Sequence, residues 1–481
     1  MLFRILRNIL SLLTSQFISK LFSLFCVIYL ARELAVEQFG LYGVGMAYLT
    51  LFAALADGGM STVTIRDVAQ DHTRSDEYFA HVLVLRGLLT VGAYGLMLGL
   101  GSVWQSSDFP PAFIALCGVF LFPEAIRKLG VSMLSAYERM DLVAVLDVLS
   151  IVLRYLPFFG AIFLGQTLQI AFVLLAGVWM GVAGIWALVT RKYCLTRWKA
   201  PINPAQLWHI LYESFPFGIL FFLTIVYFKA DIIMLSKMQG EIAVGFYEGA
   251  YKFIEASMFI PVSIVHVLLP VMSRTFVADK ASYNKVFLHS TRILALSILP
   301  VCIGVSFFAQ EIILLVYGEA YLPSAPALAL LIWALFFIFL NAPVGNIIST
   351  SKMIHAFLPY AIGNMLANIG LNLLLIPHYS FLGASFTTLF TECTGFAIQL
   401  WFANRILGNA PEILGIVGRL LIAGAGTSGV FWMTRSLVLF PLNVLLALGV
   451  YLVLLLLLRV ISQDDRRLVG ELLRQARAKL A

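Results

Sequence analysis

The residues able to do chemistry here are ionisable side chains set inside long apolar runs. The basic ones are Lys20, Arg86, Arg154, Lys229, Lys252 and Arg292; the acidic ones include Asp57, Asp231, Glu248, Glu255 and Glu392. A charge near the middle of a bilayer costs roughly 2.5–3.5 kcal/mol, so each must be paired or must line something polar. They are densest between Tyr227 and Phe259. Glu124 and Lys128, like Glu248 and Lys252, are four residues apart, which suits a local ion pair as well as a binding site. Lys20, Arg86, Arg154 and Arg292 have no partner at helical spacing and point to an anion, with interhelical salt bridges and snorkelling as alternatives. Lys229 and Asp231, two apart, face different ways on a helix. Asn364, Asn368 and Asn372 form a polar stripe, read first as helix–helix hydrogen bonding and second as a contact for a hydroxyl-rich ligand.

Other chemistry is excluded by missing patterns. The sequence has no GxxxxGK[ST] loop for ATP, no Cys/His metal spacing and no nucleophile elbow. The five cysteines are scattered singly and read as free, packed thiols. The expectation is therefore a protein that is not an enzyme and uses no cofactor or metal. The net charge of +7 belongs to membrane-flanking loops rather than to a nucleic-acid partner.

The elements that must position these residues follow from hydropathy. Of 481 residues, 61% are hydrophobic and 12% charged, far from a soluble composition. Apolar runs of about 20 residues predict an all-α polytopic membrane protein rather than a barrel. Fourteen spans are predicted: 12–31, 41–63, 79–101, 112–135, 142–164, 168–190, 213–235, 244–270, 286–308, 324–349, 356–376, 382–403, 413–434 and 440–459. Lys and Arg are concentrated on the N-terminal side of this topology, which predicts both termini in the cytoplasm. Arg197–Glu213, with its prolines and Trp198 and Trp208, reads as an interfacial linker, and 462–481 as an amphipathic cytoplasmic tail.

The turn FGLYG at Phe39–Gly43 is echoed by VGFYEG at Val244–Gly249, an offset of 205 residues and of six spans. An even number of spans makes the two copies parallel repeats about an axis normal to the membrane. The expected domains are a bundle over 1–196, a linker at 197–212, a second bundle over 213–404, two added spans at 405–461 and the tail at 462–481.

The chain resembles the polysaccharide-transporter branch of the MOP superfamily, relatives of the lipid II flippase and the MATE drug exporters. The resemblance rests on LARELAVEQFGLYG (Leu30–Gly43), DGGMSTVTIRDVA (Asp57–Ala69), YFKADIIMLSKMQGEIAVGFYEGAYKF (Tyr227–Phe253), FAQEIILLVYGEAYLPSAPAL (Phe308–Leu328) and IPHYSFLGASFTTLFTE (Ile376–Glu392). It implies two six-helix bundles forming a V around a cavity, with two additional C-terminal helices. It also implies a flippase of polyprenyl-diphosphate-linked oligosaccharides serving O-antigen, lipopolysaccharide or exopolysaccharide synthesis in a bacterial inner membrane.

On that reading Lys20, Arg86, Arg154, Arg292, Lys229 and Lys252 would meet the diphosphate. Asn341, Asn346, Asn364, Asn368 and Asn372 would meet the sugars, and Asp57, Asp231, Glu248 and Glu392 are candidate carriers of a coupling ion. The partners expected are the lipid-linked oligosaccharide, membrane lipids and other polysaccharide-assembly membrane proteins, with the chain itself a monomer. The alternatives are an ion-coupled multidrug exporter and a non-transporting scaffold of an envelope assembly complex.

Overall fold

In lipid every backbone amide must be paired inside its own segment, so apolar runs of this length form helices. The computed structural model describes residues 2–103, 111–195, 201–264, 272, 275–276, 279–350, 354–434, 440–458 and 460. Among these residues the chain is all-helical. Its helices are α1 (Leu2–Glu33), α2 (Val36–Asp57), α3 (Met60–Gln70), α4 (Ser75–Val103), α5 (Pro111–Val119), α6 (Leu121–Ala136), α7 (Met140–Phe163) and α8 (Leu168–Cys194). They continue as α9 (Pro204–Gln239), α10 (Glu241–Ser257), α11 (Lys280–Phe307), α12 (Ala309–Tyr317), α13 (Ala325–Thr350), α14 (Ile354–Leu407), α15 (Ala410–Thr434) and α16 (Phe440–Leu457).

Nine helical stretches among the described residues are long and apolar enough to cross a membrane. The fourteen spans expected from hydropathy map onto these nine together with α1, the α5–α6 pair, α10, α16 and the second arm of α14. Large apolar side chains such as Phe163, Leu188, Leu315 and Leu457 are exposed, as suits a surface that meets lipid.

Local chemistry sets several boundaries differently from hydropathy. The second span ends at Gly58, left-handed at φ 52°, rather than at 63, and α3 is a separate helix. The linker is helical from Pro204 onward. Asn203 Oδ1 accepts the Ala205 N–H at 3.0 Å and Pro204 fits the first turn, so the interfacial segment is continuous with α9. Its backbone is also pinned, because the Asn203 N–H donates to Nε2 of buried His81 at 2.9 Å. Trp208 and Tyr212 are exposed on it. Gly240, at φ 82° and ψ 178°, makes the one-residue turn from α9 to α10 in a region open to glycine. Spans eleven and twelve are joined without a loop: helical geometry breaks inside α14 only at Ser380. The predicted tail (462–481) and the first linker residues (197–200) lie outside the described residues.

The chain forms two compact units. The first comprises Met1–Phe259, Ile313–Ala327 and Met365–Thr387, and the second Ile260–Ile312, Leu328–Asn364 and Thr388–Ala481. This grouping differs from a division after residue 196, because α9 and α10 pack into the first unit against α2. A Cβ on Gly40 would lie 1.9 Å from the Glu241 carbonyl oxygen, and one on Gly245 would lie 2.2 Å from that of Val36. Elsewhere in the first unit, Tyr42, Phe113, Phe120 and Phe158 pack around Phe172. In the second unit, Trp333 donates to Ser306 at 3.0 Å, and Tyr451 of α16 reaches the Leu296 carbonyl of α11.

Candidate functional site

The first unit contains a cavity of about 180 Å³. Its polar walls are Lys20 and Ser23 of α1, Tyr42 and Thr50 of α2, Arg154 and Tyr155 of α7, Lys229 of α9, and Glu248, Lys252 and Glu255 of α10. Both sequence repeats therefore contribute to it. At 1.5 Å per residue, Glu248, Arg154, Lys229 and Lys20 stand about 10–20 Å from the helix ends nearest the Glu33–Val36 and Gln239–Glu241 turns. Against a hydrocarbon thickness of about 30 Å, that depth is near the middle of a membrane.

The cavity charges form a chain of contacts. Lys252 Nζ lies 2.7 Å from Glu248 Oε2 and 2.8 Å from Glu255 Oε2, and Lys229 Nζ lies 3.5 Å from Glu255 Oε1. The contact with Glu248 is an ion pair whose angle is poor for a hydrogen bond, whereas Lys252 donates to Glu255 in good geometry. Lys229 also lies over the Tyr251 ring at 5.5 Å, and Arg154 over the Trp179 ring at 4.6 Å. Ser23 and Tyr155 hydroxyls share a hydrogen bond of 2.6 Å. Lys20 is exposed. Four cations against two carboxylates leave the walls with a formal charge of two positive.

Five residues expected from the sequence thus meet in one place: Lys20, Arg154, Lys229, Lys252 and Glu248. Others do not. Arg86, read first as facing an anion and second as an interhelical salt bridge, is 1% exposed and donates to Asp57 Oδ1 and Ser61 Oγ, both at 2.7 Å. A guanidinium held by a buried carboxylate is a structural partner, and neither Arg86 nor Asp57 lines this cavity. The expected Glu124–Lys128 pair is likewise replaced. Glu124 binds Arg127 through both oxygens (2.9 and 2.7 Å), Arg127 reaches Asp147 at 2.9 Å, and Lys128 reaches the Ala53 carbonyl at 3.3 Å.

Asp231 points away from Lys229, as their two-residue spacing requires, and accepts hydrogen bonds from the Tyr247 hydroxyl and the Ile232 N–H. Asn372 donates to Asn368 at 3.1 Å, both buried in the first unit. In the second unit, Asn364 donates to the Thr391 carbonyl at 3.2 Å and accepts from Thr394 at 3.0 Å, both on the second arm of α14. Asn341 donates to buried Glu392 at 3.2 Å, and Arg292 lies on α11. The side chain of Asn346 lies outside what the structure describes.

Sequence reasoning passed over Ser23, Tyr42, Thr50 and Tyr155 as site residues. Ser23 is one turn from Lys20, and Tyr42 sits in the repeated FGLYG turn, so those two carried a signal.

The fold is that of MOP-superfamily transporters. Lipid II flippase MurJ in an inward closed conformation superimposes with a TM-score of 0.76 at 14% identity, covering 95% of this chain and 99% of that one. An inward-facing multidrug resistance MATE family transporter of the MOP superfamily gives 0.64 at 15% identity, covering 83% and 98%. In sequence, residues 5–276 match the family described as polysaccharide biosynthesis protein, and the chain belongs to that family. The probable flippase AglR of Haloferax volcanii is 24% identical over 83% of both chains. An uncharacterised membrane protein of Methanocaldococcus jannaschii is 28% identical over 37% of this chain, a match spanning only 35% of that protein's length. The chain is thus a multi-pass membrane protein of the polysaccharide biosynthesis protein family, with a fold shared by flippases and transporters.

Proposed function

We propose that the chain is a flippase carrying a polyprenyl-diphosphate-linked oligosaccharide from the cytoplasmic to the outer leaflet, for cell-surface polysaccharide synthesis. The observation that carries this reading is the surplus of two positive charges on a membrane-depth cavity lined by Lys20, Arg154, Lys229 and Lys252. A diphosphate of about two negative charges matches that surplus through charge-assisted hydrogen bonds. On this reading the cavity of about 180 Å³ takes the diphosphate. On the same reading the hydroxyls of Ser23, Tyr42 and Tyr155 on the cavity walls would meet the first sugar, while the prenyl chain would stay in lipid.

A cationic drug would be repelled by this cavity, which disfavours the multidrug-exporter alternative. Outward movement of two negative charges across an inside-negative potential gains roughly 2.3 kcal/mol per charge per 100 mV, so the potential itself can drive the step. Alternating access by the two six-span repeats is the movement that the repeat architecture suits.

The test is reconstitution of the full chain in proteoliposomes with a fluorescent prenyl-diphosphate sugar, comparing wild type with the Lys229→Gln, Lys252→Gln double variant. A folded double variant should lose transport about tenfold or more, the effect of removing charge-assisted contacts worth at least about 1.4 kcal/mol. Unimpaired transport by that variant would refute the anion-binding role. A scaffold would show no transport by the wild type at all.

A further inference from the structure

The two carboxylates in the cavity are held differently. Glu248 is 2% exposed and packs beside Gly43, where its Cγ would lie 2.8 Å from an added Cβ. Glu255 is 36% exposed, in the last turn of α10, and one carboxylate bridges two lysines: Oε2 to Lys252 and Oε1 to Lys229. Of the two, Glu255 is the one with open space beside it. Lys252 keeps Glu248 when Glu255 leaves, and Lys229 keeps the face of Tyr251.

Resting on the anion-carrying reading above, we infer that Glu255 is a resident counter-anion, occupying the place of the incoming phosphate on Lys229 and Lys252 and setting how tightly the site holds it. The empty cavity then never leaves two desolvated ammonium groups facing each other, an arrangement that would be strongly unfavourable. Binding becomes an exchange of one anion for another. A monophosphate does little more than replace the carboxylate it displaces. A diphosphate can hold the two lysines and still reach the guanidinium of Arg154 or the ammonium of Lys20 on the facing walls. Return of Glu255 to the lysines assists release, so the same residue sets both affinity and turnover. This differs from a structural ion pair, whose loss would weaken all ligands alike.

The experiment titrates full-length protein in neutral-lipid nanodiscs with farnesyl diphosphate and with farnesyl monophosphate. Wild type should prefer the diphosphate by about tenfold or more, the ratio that about 1.4 kcal/mol of extra contact produces. Glu255→Gln, which removes a competitor that both probes displace, should bind each about tenfold more tightly, keep the preference for the diphosphate, and release it more slowly. Glu255→Asp, too short to bridge both lysines, should tighten both probes the same way but less, and serves if the glutamine variant does not fold. Unchanged or weakened affinities in the folded variants overturn the counter-anion role while leaving anion binding intact. Wild type binding neither probe overturns the anion-carrying reading and this inference with it.

Discussion

Gly40 and Gly245 lie 205 residues apart, and each sits against the backbone carbonyl of the residue four places before the other: Gly40 against Glu241, Gly245 against Val36. Reciprocal contact of this kind is what a two-fold relation between equivalent segments produces. Gly43 continues the pattern, because it faces Glu248, its own counterpart at the same offset. The repeat seen in FGLYG and VGFYEG is therefore also the interface that brings α2 and α10 together beside the cavity.

Because backbone rather than a flexible side chain blocks the space, neither glycine tolerates a methyl group. Gly40→Ala and Gly245→Ala should each cost about 1–3 kcal/mol, the usual range for overpacking. Gly87→Ala, which meets nothing within 4 Å, is the control and should not destabilise. Thermal unfolding of the purified protein reads this out. A large effect at one glycine and none at the other would contradict the reciprocal interface.

The Arg86–Asp57 pair is structural, so breaking it and replacing it should differ in sign. Arg86→Ala strands a buried carboxylate and should cost about 3–5 kcal/mol. The double variant Arg86→Met, Asp57→Leu should recover most of that stability and keep prenyl-diphosphate affinity. Lost affinity in a well-folded double variant would return Arg86 to the binding site.

Ser380 joins the two arms of α14 at φ 52° and ψ −135°, a conformation that side-chain-bearing residues rarely adopt. Ser380→Gly should remove strain of about 1 kcal/mol and raise the unfolding temperature, and Ser380→Val should lower it. A melting point unmoved by the glycine would mean that the serine is not strained.

Outside the spans, Asp67 accepts from Arg66 Nε at 2.6 Å and from the Tyr78 hydroxyl at 2.5 Å, while Arg66 also reaches Glu213 at 3.2 Å. Burial pushes the Asp67 carboxyl up, but Arg66 and then Tyr78 more than offset it, holding it below its usual value. A lowered folded value means that the stabilisation is complete above the unfolded value, about 3.9, and is lost as pH falls through the folded one. The melting difference between wild type and Asp67→Asn should thus be full at pH 7 and shrink below about pH 4. A difference independent of pH would exclude this origin.

Much of this molecule was legible in one dimension because the bilayer imposes one-dimensional rules. Span length, the burial cost of charge and the echoed turn motifs are all written along the chain, and they identify the helices, the repeat and the group of candidate charges. Lys229 and Asp231 could be separated by spacing alone, and the structure sends one to the cavity and the other to Tyr247.

Partnership across helices was not legible. Arg86 looks unpaired in sequence because its carboxylate is 29 residues away on another helix. Glu248–Lys252 looks like a closed local pair, because nothing along the chain reveals that Lys229 and Arg154 share its space. Helical periodicity fixes which residues of one helix share a face, and so the sequence by itself determined the class of protein, its helices and the charges available to it. Which face meets which depends on packing between helices far apart in the chain. Only the tertiary structure decided that Lys20, Arg154, Lys229 and Lys252 line a cavity while Arg86 locks two helices together.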